Sequence, residues 1–149
     1  MQQPIFWILW GSMLASLGVY AALPALLPAP EEPVALSLPL VGGLLVGAVV
    51  VGPTSVVLRH ALLVRPARSG QLDIGSAEGR ARWLQVSVAL WAMSESVGIA
   101  GLVLWILYRQ PGLLYPFLAG AALLLVVHAP RSASLLSSRD LARPDVRIG

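Results

Sequence analysis

The chain has no cysteine and no lysine, and little charge of either sign: ten arginines, seven acidic residues and two histidines in 149 residues. Without cysteine there are no disulfides, thiolate metal sites or cysteine nucleophiles. His60 and His128 lie on different segments, so neither has a second histidine at ligand spacing and no metal is expected. The phosphate-loop pattern GxxxxGK[ST] is absent, and no nucleophile elbow accompanies the serines. These absences point away from an enzyme and from any cofactor. Charged residues make up 11% of the chain and hydrophobic ones 57%, which is not the composition of a soluble globular domain.

Long apolar runs stand in place of charge. Four are visible, and they predict helices over about 4–23, 37–58, 83–108 and 112–128. The first three exceed the length needed to span a bilayer, and the fourth is short. The expected fold is therefore all-α: a single membrane domain, 1–149, of four helices, with a loop at 59–82 and a tail at 129–149. The first helix starts with Phe6, Trp7 and Trp10, which suits an interfacial belt. Its leading residues, Met-Gln-Gln-Pro, carry no positive side chain, so it is expected to be an uncleaved span rather than a signal peptide. Four prolines in the ten residues from Pro24 to Pro33, with Glu31 and Glu32, predict a non-helical turn.

The arginines are sorted by segment. Arg59, Arg65, Arg68, Arg80 and Arg82 sit between the second and third runs, and Arg131, Arg139, Arg143 and Arg147 sit in the tail. The other two loops carry Glu31, Glu32 and Arg109. The positive-inside rule then places the middle loop and both termini in the cytoplasm, with the chain in the inner (cytoplasmic) membrane. The lipid bilayer is the expected partner of the basic segments. Nucleic acid is not expected, because the arginines are split over two short stretches without interleaved aromatics.

The run from Trp83 to Tyr108 contains one charge, Glu95, twelve residues from one end and thirteen from the other. At ~1.5 Å rise per residue this predicts a carboxylate near mid-membrane. Such a group costs at least roughly 2.5–3.5 kcal/mol unless it is protonated, paired or reached by water. Two readings are open. Glu95 binds and releases a proton or cation, with Ser94 and Ser96 beside it and Thr54 and Ser55 on the second helix as further polar groups. Alternatively, it is a buried hydrogen-bonding group used for assembly. Gly42, Gly43, Gly47 and Gly52 on the second helix, and Gly98 and Gly101 on the third, are expected helix-packing positions. His128 is expected to be an interfacial polar cap, and the tryptophans to be lipid-facing or interfacial.

The stretch Gly42-Gly43-Leu-Leu-Val-Gly47-Ala-Val-Val-Val-Gly52-Pro53, followed after a polar loop by Ala89-Leu-Trp-Ala-Met-Ser-Glu95-Ser-Val-Gly98-Ile-Ala-Gly101-Leu-Val-Leu, resembles the proteolipid (c) subunit of rotary ATP synthases and ATPases. That family pairs a glycine-rich helix with a helix bearing a mid-membrane Glu or Asp. The resemblance covers the second and third helices, about half the chain; the first and fourth have no counterpart in the two-helix members. It implies a homo-oligomeric ring in which Glu95 carries the ion. The matching stretch of helix two, Thr54-Ser55-Val56-Val57, lacks the polar residue that accompanies sodium binding in some members, so the implied ion is a proton. The reading from another class is a non-catalytic structural or scaffold subunit of a larger membrane complex.

Overall fold

The computed structural model describes residues 3–27, 35–73 and 75–130. The Glu31–Glu32 turn and the arginine-bearing tail lie outside the described residues. Those described form helices joined by short connections: α1 (Gln3–Leu26), α2 (Leu38–Arg59), a π-helical turn (His60–Val64) running into α3 (Arg65–Arg68), α4 (Ala77–Tyr108) and α5 (Pro111–Val127). Three stretches, Pro4–Leu26, Leu38–Arg68 and Ala77–Tyr108, are long and apolar enough to cross a membrane, and Pro111–Val127 is a shorter apolar helix. This is the architecture of a helical membrane protein.

Local chemistry sets the helix ends. Ser76 caps α4, its extended backbone letting Oγ accept from the Gly79 N–H at 2.9 Å. At the other end Arg109 adopts a left-handed conformation, φ 54°, and Pro111 opens α5 where its missing N–H costs nothing. The α4–α5 connection is thus only Arg109 and Gln110. The wide turn after Arg59, in which the Arg65 N–H reaches His60 O five residues back, comes immediately before Pro66. A proline ring clashes with a carbonyl four residues back in a regular helix, and a π turn relaxes that spacing. Two expectations are corrected here. Pro24 lies inside α1, in its last turn, where few hydrogen bonds remain to be lost. Within the 59–82 loop, the helical continuation past Arg59 extends beyond Pro66 to Arg68, and α4 begins at Ala77.

α4 is the axis of the bundle; α1, α2 and α5 all pack on it, and α1 also packs on α5. Trp91, Leu104, Trp105, Leu114, Leu118 and Leu125 form the main core. A second cluster, Leu63, Ala67, Leu72, Trp83 and Leu90, closes the arginine-rich end around the π turn. α2 and α5 leave between them an apolar groove of about 330 Å³ lined by residues such as Gly52, Pro53, Val97, Phe117 and Leu124. In lipid, apolar burial alone gives helices little reason to associate, so close packing and interhelical hydrogen bonds hold such a bundle.

Candidate functional site

Glu95 sits halfway along the outer part of α4 and faces α1. Its Oε1 accepts a hydrogen bond from Ser16 Oγ at 2.5 Å and a longer one from Tyr20 OH at 3.3 Å. The first has the length of a strong hydroxyl–carboxylate bond, and the second is at the weak limit. Ser16 and Tyr20 are four residues apart and so share a face of α1. The Ser16 hydroxyl also lies 2.7 Å from Met13 O, so its single proton is divided between carbonyl and carboxylate. Glu95 is half-buried. One turn on, Gly98 meets Leu17 of the same α1, so carboxylate and glycine together form the α1–α4 seam.

The other polar residues named from the sequence do not join this seam. Ser94 is fully buried but points elsewhere: its Oγ donates to Leu90 O at 2.9 Å and lies 3.4 Å from His128 Nδ1. Ser96 is exposed and donates to Met93 O at 2.7 Å. Ser55 is buried on α2, its hydroxyl bonded to Gly52 O at 2.7 Å. Thr54 is exposed. Successive residues on a helix are turned by about 100°, so flanking Glu95 in sequence puts Ser94 and Ser96 on different faces. Sequence reasoning missed Ser16 and Tyr20. The available signal was a polar pair at helical spacing in an apolar run; what was not available was which helix neighbours α4.

Three further expectations change. His128 caps α5 but is buried, 4% exposed, because Trp91 Nε1 donates to its carbonyl at 2.9 Å and draws it against α4. Trp83, Trp91 and Trp105 are core residues rather than lipid-facing ones; only Trp7 among the five is exposed. Trp10 ties α1 to α5 through Leu125 O at 2.9 Å. Finally, among the described residues a Cβ added at Gly42, Gly43 or Gly47 would meet nothing within 4 Å, while one at Gly52 would meet only Leu124 at 3.9 Å. The close approaches are at Gly98 and Gly101.

Both ends of the bundle are pinned by polar contacts. Arg59 Nη1 donates to Val127 O at 3.0 Å, placing a cation on the exposed carbonyls at the C-terminus of α5. At the opposite end Tyr108 OH accepts from Ser37 N–H at 3.1 Å. Beside it the Arg109 guanidinium carbon lies 4.9 Å from the Trp105 ring centroid, a cation–π contact. Among the described residues no group of three or more acidic or histidine side chains could hold a metal ion. Comparison with protein families, curated proteins and solved structures finds no match to this chain.

Proposed function

We propose that this chain is a non-enzymatic subunit of a membrane assembly, in which Glu95 latches α1 onto the bundle. The observation that carries this reading is the 2.5 Å bond between Ser16 and Glu95. It supplies within the chain the partner that a mid-span carboxyl needs. The lateral partner, a second copy or another subunit, binds across the open glycine-bearing face of α2. The arginine-rich segments and both termini face the cytoplasm, where they meet anionic lipid. The test compares Glu95→Gln with Glu95→Leu in lipid nanodiscs, reading helix exposure by hydrogen exchange and assembly size by light scattering. Gln keeps a hydrogen-bonding amide and retains both. Leu releases α1, raising exchange along Met13–Tyr20. Exchange unchanged in Glu95→Leu would sink the latch.

A second reading has its own observation. Both hydroxyl donors converge on Oε1 rather than Oε2, and the side chain is only partly buried. That leaves one oxygen able to hold a proton, as a proton-carrying, c-subunit-like homo-oligomer requires. Dicyclohexylcarbodiimide modifies a protonated carboxyl in apolar surroundings. Labelling confined to Glu95, together with proton flux in vesicles that Glu95→Gln abolishes, would favour this reading over the latch alone. Absence of both leaves assembly as the role of the residue.

A further inference from the structure

The mechanism proposed for Glu95 leaves unused the most completely buried titratable side chain in the described bundle, His128. Its Nδ1 is 3.4 Å from Ser94 Oγ. The Ser94 hydroxyl directs its single proton to Leu90 O at 2.9 Å, so it turns a lone pair toward the imidazole. Nε2 is buried and has no hydrogen-bond partner among the described residues, a loss that ordinarily costs about 1–3 kcal/mol. The His128 side of the bundle borders a cavity of about 10 Å³, lined also by Ser87, Arg59, Trp83 and Trp91 among others. Ser87, which lines this cavity, is buried too.

Size and chemistry converge on one ligand. A cavity whose water-centre volume is about 10–15 Å³ admits a single water, provided that two or more polar groups receive it. Here an imidazole nitrogen and a serine hydroxyl supply them, and the Arg59 guanidinium is the charged group on the wall. We propose that this cavity is the binding site of one water molecule, held between His128 Nε2 and Ser87 Oγ. Water both donates and accepts, so it satisfies Nε2 in either tautomer of the ring. The site makes His128 a proton-exchanging group at the arginine-rich end of the bundle. It is built from α2, α4 and α5 and rests on neither reading of Glu95, whose partners are on α1.

The chain contains only two histidines, so histidine-selective ¹⁵N labelling reports His128 with exposed His60 as an internal control. The full chain in phosphatidylcholine vesicles is measured by water-edited solid-state NMR. Polarisation from water is expected to reach the His128 ring as well as that of His60. Ser87→Val, which removes one polar partner and fills the cavity with methyl groups, should abolish transfer to His128 and leave His60 unchanged. An unshifted Trp91 indole resonance, still bonded to His128 O, shows that the variant keeps its fold; Ser87→Ala serves if Ser87→Val does not. A dry His128 ring in the parent chain overturns the proposal. So does a ring that stays equally hydrated in the folded Ser87 variants.

Discussion

Two helices of this bundle carry most of the glycine in its spans and use it in opposite ways. On α4, a Cβ at Gly101 would stand 2.5 Å from Phe117 Cβ and 3.1 Å from Leu114 O. One at Gly98 would stand 2.7 Å from Leu17 Cδ2. The backbones of α4 and α5 approach because nothing intervenes, and the core Trp and Leu side chains pack around that seam. On α2, Gly42, Gly43 and Gly47 look onto open space, flanked by exposed Leu45, Val46, Val49 and Val50. Glycine in a helix costs about 1 kcal/mol relative to alanine. On α4 that cost is offset by close packing within the chain, whereas at Gly42, Gly43 and Gly47 no described residue packs closely enough to offset it. A glycine-bearing face with no neighbour among the described residues is where a partner helix could approach as closely as α5 approaches α4.

The sharpest way to break the contrast is Gly101→Val. Its Cβ meets the root of Phe117 and a backbone carbonyl, neither of which can swing aside, and overpacking of this kind costs about 1–3 kcal/mol or more. Unfolding in mixed detergent micelles should show a loss near the top of that range, with separation of α4 from α5. Gly98→Ala should cost less, about 1 kcal/mol, since its nearest obstacle is the far end of the Leu17 side chain and the helix gains propensity in return. Loosening of α1, seen as faster hydrogen exchange near Leu17, is the expected signature. Removing the neighbouring polar contact by Ser16→Ala should cost about 0.6–1.7 kcal/mol, from the average to the maximum found for hydrogen bonds between helices in membranes by double-mutant cycles. A cost in that range from unfolding, absent when Glu95→Leu is already present, would show that the two residues act as a pair.

The smallest effect, and the one of opposite sign, belongs to α2. The Cβ added by Gly47→Ala meets no atom of the described residues, so the isolated protomer should gain up to about 1 kcal/mol. The same substitution should weaken self-association or partner binding, measured by sedimentation equilibrium in detergent. A gain in stability with association unchanged would mean that α2 faces lipid alone.

Much of the architecture was legible from the residues. Runs of uncharged apolar side chains give the three long helices and the shorter fourth, since a backbone in hydrocarbon must satisfy its own hydrogen bonds. The start of α4 at Ala77, ahead of its apolar run, is set by Ser76 as the N-cap, with Glu78 in the first turn. The seam was less legible. Glu95 stands out because a charge in an apolar run is rare, but its partners Ser16 and Tyr20 are about eighty residues away on a helix whose neighbour no local pattern names. His128 was misjudged for a related reason: a polar residue at the end of an apolar run is ordinarily exposed, and only the Trp91 indole across the bundle draws it inside.

By itself, then, the sequence determined that this is a helical membrane chain, where its helices run, and which carboxylate requires an explanation. These follow from length, composition and the cost of a charge in hydrocarbon, all properties of single segments. Only the tertiary structure decided that α1 covers Glu95, that Gly98 and Gly101 rather than the α2 glycines form the close seams, and that His128 is enclosed. Those outcomes depend on which helices become neighbours and on the rotation of each about its axis. In lipid, where every apolar face is equally comfortable, the choice is fixed by close packing and a few interhelical hydrogen bonds between residues far apart in the chain.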